Sequence, residues 1–172
     1  MKEPIRRELL TWNDVDKLID HLVPQFDEEF DAMLIITRGG IVPGGLLAEA
    51  LDIKNVLTAA VNFPPVDVPG MELMAWPNFL QFPERHLLRG RKVLIVDDVW
   101  GSGRTSTAVK DMVIAAGGEA FTCVLHYNPY RSLFTKTAPR YYAAVTDAYI
   151  IYPWEVDRGT DLVETGTPQP VN

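Results

Sequence analysis

A chain of 172 residues, 47% hydrophobic and 23% charged, has the make-up of one domain with a sizeable buried core. Its 23 acidic residues against 16 basic ones leave a formal charge of −7, which argues against a partner such as nucleic acid or an anionic membrane held by bulk charge. The lone cysteine, Cys123, excludes an internal disulfide and a multi-thiolate zinc site and points to a reducing, cytoplasmic setting.

Residues 1–8 carry charge where a signal peptide needs an apolar core, and no apolar run approaches the roughly 18 to 20 residues that cross a bilayer. The expectation is a protein that is neither secreted nor membrane-spanning. The segment Thr11, Trp12, Asn13 and Asp14 offers capping side chains, after which Val15, Leu18, Ile19, Leu22, Val23 and Phe26 recur at helical spacing. That predicts an amphipathic scaffold helix, with His21 on it outside any site. Residues 33–36 form a short apolar strand that stops at Thr37, Arg38, Gly39 and Gly40, and residues 43–51 read as a helix with proline near its start. Further strands are predicted at 56–61, 92–96, 121–126 and 149–151. Val109, Met112, Val113 and Ala116 mark a helix closed by Gly117 and Gly118.

Unbroken apolar strands alternating with helices predict an α/β fold, a mostly parallel twisted sheet flanked by helices, in which ligands bind outside the carboxyl ends of the strands. Residues 62–91 hold five of the thirteen prolines and read as a lid or hood inserted into a single domain spanning 1–157; residues 158–172 read as a polar tail. Cys123 fits a small buried strand residue, and His126, at the end of the same strand, fits either a site or the core.

The segment richest in chemistry is 93–106. A buried strand ends in Asp97 and Asp98, a turn of small residues follows, and then a helix begins. Backbone N–H groups of such a turn, with the positive end of the helix dipole behind them, seat a phosphate without net positive charge, and Ser102, Thr105 and Ser106 can add hydroxyls. Adjacent carboxylates can accept from a vicinal diol, stabilise nearby positive charge or hold Mg²⁺. The segment is neither a triphosphate P-loop nor a dinucleotide-binding turn.

With four apolar residues, two acids and a Gly/Ser/Thr loop, residues 93–105 resemble the fingerprint of the type I phosphoribosyltransferases. The resemblance runs from about 30 to about 156 and is nearest to the microbial xanthine-guanine and hypoxanthine transferases. It rests also on the segment that starts at Thr37 and on Thr146, Asp147, Ala148, Tyr149, Ile150, Ile151, Tyr152, Pro153, Trp154 and Glu155.

This resemblance implies Mg²⁺-dependent transfer of phosphoribosyl from phosphoribosyl pyrophosphate to hypoxanthine, guanine or xanthine in nucleotide salvage. Thr37, Arg38, Gly39 and Gly40 would grip pyrophosphate. Gly101, Ser102, Gly103, Arg104, Thr105 and Ser106 would seat the 5′-phosphate. Asp97 and Asp98 would hold ribose and metal, and with Arg38 form the catalytic set. Asn128, Tyr149, Ile150 and Glu155 would hold the base, although Tyr149, Ile151 and Trp154 fit a core role equally well. A non-proline cis peptide is implied at Thr37–Arg38, and a homodimer or homotetramer is compatible with apolar surface from Trp12, Trp76, Phe79 and Phe82. Two positions depart from the purine pattern: Gly101 stands where an aspartate is common, and Asn128 where a lysine is usual. They keep open a non-purine acceptor, or a regulatory protein that binds phosphoribosyl pyrophosphate or a nucleotide without turnover.

Overall fold

The computed structural model describes residues 6–64 and 75–156. The chain begins with a short strand β1 (Arg7–Leu9), which the charged opening did not announce, and then helix α1 (Trp12–Leu22). Thr11 and Asp14 close a reciprocal capping box: Thr11 Oγ1 accepts from the Asp14 backbone N–H at 3.2 Å, and Asp14 Oδ2 accepts from that of Thr11 at 2.9 Å. The helix buries Val15, Ile19 and Leu22, one face of the predicted stripe.

Strand β2 (Ala32–Thr37) leads into helix α2 (Ile41–Ala50), which starts two residues before the predicted position because Gly40 serves as its N-cap. There follow β3 (Val56–Asn62), β4 (Asn78–Gln81), β5 (Lys92–Trp100), α3 (Arg104–Ala115), β6 (Glu119–Tyr127), β7 (Tyr141–Val145) and β8 (Tyr149–Ile151). Six strands form one sheet in the order β4-β3-β2-β5-β6-β7, parallel except for β4.

Alternate residues of the central strands feed two cores. Met33, Ile35, Leu94 and Val96 pack with Val15, Ile19, Leu22 and Leu47 from α1 and α2. Leu34, Ile36, Val93 and Ile95 pack with Val109 and Val113 from α3 on the other face. With helices on both faces, β2 and β5 must be apolar throughout, which is why they read as unbroken runs. The chain leaves β2 toward β3 and leaves β5 toward β6, so the strand order reverses between them. A crevice opens there beyond their carboxyl ends.

Two expectations need correction, the place of the last strand and the apolar surface. Residues 149–151 do form a strand, but not in the main sheet: β7 occupies that edge, and β8 pairs in parallel with β1 as a separate two-stranded ribbon, Arg7 opposite Tyr149. Of the lid or hood expected over 62–91, residues 75–91 are described. Those return along the edge of the sheet as β4 and bury Leu88 completely, while 65–74 lie outside the described residues, as does the expected tail from 158. Phe79 and Phe82 are not free surface, since they meet edge-to-face and pack against the α3-side core; Trp12 and Trp76 remain exposed. Among the described residues no helix is long and apolar enough to cross a membrane.

Candidate active site

A cavity of about 730 Å³ lies at the crevice, and Thr37, Arg38, Gly39, Asp97, Asp98, Thr105, Trp154 and Glu155 are among its walls. Three strand ends supply them: β2 runs out into the 37–40 turn, β5 into the two carboxylates and the loop before α3, and β8 into the turn that carries Trp154 and Glu155.

The peptide between Thr37 and Arg38 is cis, as the resemblance implied. Arg38 is exposed and forms no ion pair among the described residues. Gly39 and Gly40 are glycines because of close approach. A Cβ on Gly39 would stand 2.5 Å from the Asp98 carboxyl atoms, and one on Gly40 would strike the Val96 carbonyl oxygen. The turn is therefore pressed against the end of β5, where a ligand can meet both at once.

Asp97 Oδ1 accepts from the Asp98 backbone N–H at 2.9 Å, and Asp98 Oδ1 from that of Val99 at 2.7 Å. Burial, reinforced by the charge of Asp98, pushes Asp97 well above the usual carboxylate range. Asp98 is also raised, by burial first and by the charge of Glu155, against the pull of the Val99 N–H. Two crowded carboxylates with raised pKa values invite positive charge. Among the described residues there is no cluster of three or more metal-ligating side chains. Two adjacent carboxylates are a donor set that suits Mg²⁺, which takes one or two carboxylates and fills its octahedron with water and substrate oxygens.

The loop before α3 places its members unequally. Thr105 lines the cavity, Gly101 is half-buried, Ser102 is exposed, and Gly103 is buried at φ +79°, with Trp100 where a Cβ would go. The N-cap of α3, Gly103, has no side chain to offer, and Ser102 Oγ accepts from the Arg104 backbone N–H at 3.4 Å. Ser106, expected to offer a hydroxyl, is instead buried on the inner face of the helix. Arg104 turns toward the β3 side: its guanidinium lies 4.0 Å from the centre of the Phe63 ring and donates to the Ala75 carbonyl at 2.6 Å. Gly101 has open space where a Cβ would stand.

Of the four residues expected at the base, only Glu155 lines the cavity. Asn128 is buried and committed to a turn, its Oδ1 accepting from the backbone N–H groups of Tyr130 and Arg131 at 3.1 and 3.2 Å. Ile150 sends its side chain into the α1-side core, and Tyr149 stands half-exposed on the ribbon. The aromatic that does reach the cavity is Trp154, which lies flat on Tyr152 with ring centres 4.5 Å apart. Trp154 Nε1 is buried without a hydrogen-bond partner.

Sequence reasoning missed Tyr152. Its hydroxyl bonds the Asp98 carbonyl at 2.9 Å and lies 2.8 Å from Nδ1 of His126. His126 is thus behind the site and not in it, and burial pushes its pKa down to about 4. Burial pushes the Cys123 thiol upward, in keeping with an inert core residue.

The phosphoribosyl transferase domain family matches residues 6–151 of the chain. A xanthine-guanine phosphoribosyltransferase of Chromohalobacter salexigens is 28% identical over 158 residues, covering 90% of this chain and 86% of that protein. A purine phosphoribosyltransferase of Pyrococcus horikoshii superposes with a TM-score of 0.75 at 28% identity, over 90% of this chain and 98% of that one. A Neisseria gonorrhoeae protein solved with bound ppGpp has the same fold, with a TM-score of 0.73 at 23% identity over 89% and 91% of the two chains.

Proposed function

Since the chain belongs to the phosphoribosyl transferase family, we propose that it moves phosphoribosyl from phosphoribosyl pyrophosphate to a 6-oxopurine, hypoxanthine, guanine or xanthine, releasing pyrophosphate in nucleotide salvage. One observation carries the reading: Asp97, Asp98, Arg38, Gly39, Thr105 and Glu155 line a single cavity. Its acceptor, donor and charge pattern suits the parts of that substrate pair. A homodimer or homotetramer, the usual family assembly, goes with this reading.

The amides of the first turn of α3 and the Thr105 hydroxyl receive the 5′-phosphate. Asp97 and Asp98 accept from the ribose hydroxyls. The amides of the 37–40 turn and the Arg38 fork take the pyrophosphate as it leaves. Trp154 offers the base an apolar wall, and Glu155 an acceptor for its N–H edge. Asp97 and Asp98 would hold Mg²⁺, whose charge would offset that of the pyrophosphate. Displacement at the anomeric carbon leaves the ribose with oxocarbenium character, and positive charge there relieves the repulsion within the carboxylate pair. The residues thus interact better with the transition state than with the ground state.

The test is pyrophosphate release from phosphoribosyl pyrophosphate and Mg²⁺ with hypoxanthine, guanine, xanthine, adenine, uracil or orotate, with each nucleotide product identified by mass. A 6-oxopurine nucleotide is expected. A product formed only with adenine, uracil or orotate would overturn the base assignment.

Two observations favour a second reading, a regulator that binds phosphoribosyl pyrophosphate or a nucleotide without turnover. Gly101 brings no side chain to the position where the purine pattern has an acid, and Asn128 is tied into its turn. Silence across the base panel with saturable calorimetric binding of phosphoribosyl pyrophosphate would select it. The ppGpp carried by the Neisseria gonorrhoeae neighbour belongs in the same titration.

A further inference from the structure

The geometry points to Tyr152 as a positioning residue that ties the sugar-phosphate side of the cavity to the base side; the inference rests on the role given to Asp98 above. Tyr152 is 1% exposed and does not itself line the cavity, yet three different parts of it hold residues that do.

The first part is the hydroxyl, which donates to the backbone carbonyl of Asp98 at 2.9 Å. A carbonyl has no proton to return, so the same hydroxyl meets His126 Nδ1, 2.8 Å away, through a lone pair. That fixes His126 as the tautomer with its proton on Nδ1. His126 is itself held by the sheet, opposite Val99 in the pairing of β5 with β6. The second part is the ring, stacked on Trp154 with planes 6° apart. The third is the backbone N–H, which donates to Glu155 Oε2 at 2.9 Å and keeps that carboxylate folded over the turn.

The consequence is mechanical. Asp98 belongs to β5, whereas Trp154 and Glu155 follow β8 in the other sheet, and among the described residues no strand ladder joins the two sheets. A chain from His126 through Tyr152 to Asp98, continued by the ring to Trp154, crosses that gap. It sets the distance between the carboxylate that holds the sugar and the wall that faces the base. Both side chains of the relay are buried, so water cannot replace the bond that either loses.

Calorimetric titration of phosphoribosyl pyrophosphate with Mg²⁺ into wild type and four variants tests this. Tyr152→Phe keeps the ring on Trp154 and removes only the hydroxyl. Its Kd is expected to rise roughly three- to tenfold, the effect of one neutral buried hydrogen bond. His126→Leu should do the same. In His126→Asn the amide nitrogen takes the place of Nδ1, so the Kd should return to within about twofold of wild type. A purely structural role would lower the unfolding temperature of all three without moving the Kd or separating asparagine from leucine. Asp98→Asn is the reference and should weaken binding more than any of them. If Asp98→Asn weakens binding while Tyr152→Phe and His126→Leu do not, the relay is refuted and the site reading stands. If Asp98→Asn binds as wild type, the role of Asp98 fails and the relay fails with it. Should Tyr152→Phe not fold, the two His126 variants decide the question.

Discussion

Replacing Gly39 with alanine puts a methyl group 2.5 Å from the carboxyl carbon and both oxygens of Asp98. Unstrained contacts of this kind lie near 3.5 to 4.0 Å, so about 1 Å of movement has to be found. The 37–40 turn is anchored, because the Gly40 N–H donates to the Ile36 carbonyl at 2.9 Å and the Ile41 N–H to the Arg38 carbonyl at 3.1 Å. The Asp98 carboxylate must give way, and in doing so it strains or breaks the 2.7 Å bond it accepts from the Val99 N–H. A hydrogen bond to a charged group contributes about 1.5 to 3 kcal/mol and overpacking costs about 1 to 3 kcal/mol, so destabilisation of about 2 to 3 kcal/mol is expected. The effect on activity should be larger in ratio, since a 1 Å misplacement of a reacting constellation costs about a hundredfold. The assay is pyrophosphate release at saturating base, alongside thermal unfolding. Gly45→Ala is the control: Gly45 lies exposed within α2 with nothing near its would-be Cβ, and alanine there should stabilise by about 0.5 to 1 kcal/mol with activity unchanged. If Gly39→Ala turned over like wild type, the closeness of turn and carboxylate would have no functional meaning, and the assignment of Asp98 would fall.

Asp97→Asn should lose activity yet unfold at a higher temperature near neutral pH. A carboxylate whose folded pKa exceeds its unfolded value of 3.8 destabilises the fold as pH rises above that value, and the amide removes this term; a lower Tm would contradict the sign. His126 behaves oppositely, because its pKa falls from 6.5 to about 4 on folding. Stability from this group is complete above pH 6.5 and is lost as pH falls toward 4, by up to about 3 kcal/mol; urea melts of wild type against His126→Asn should show the variant losing less across that window. Gly101→Asp should fold normally, since its Cβ enters open space, and should raise turnover with 6-oxopurines if an acid there handles the proton on the base. Unchanged turnover in a folded variant would show that the proton is handled elsewhere.

The sequence was most legible where local chemistry and tertiary position coincide. Thr11 and Asp14 cap α1 as expected, because a capping box needs only its own four residues. Arg38, Gly39, Asp97, Asp98 and Thr105 meet because ligand residues of a parallel sheet gather at its carboxyl ends, so strand assignments at 33–36 and 92–96 were enough to bring them together. What stayed hidden depends on partners distant in sequence. Nothing about Tyr152 announces that its hydroxyl reaches a carbonyl on β5. Asn128 has the same side chain whether it meets a ligand or holds a turn, and only the positions of the Tyr130 and Arg131 amides decide. Strand β1 is three residues long, too short for alternation to be read, so the partner that draws the strand at 149–151 away from the main sheet was hidden with it.

The pairing of β1 with β8 also bears on when the cavity comes into being. During synthesis β1 emerges early and remains without its strand partner until β8 follows, long after the β2-β5 core can close over α1 and α2. An intermediate that already holds Asp97 and Asp98 against the 37–40 turn would lack the wall bearing Trp154 and Glu155. Such a species can recognise a sugar phosphate before it can recognise a base, and the ligand itself can then favour the last docking step by mass action.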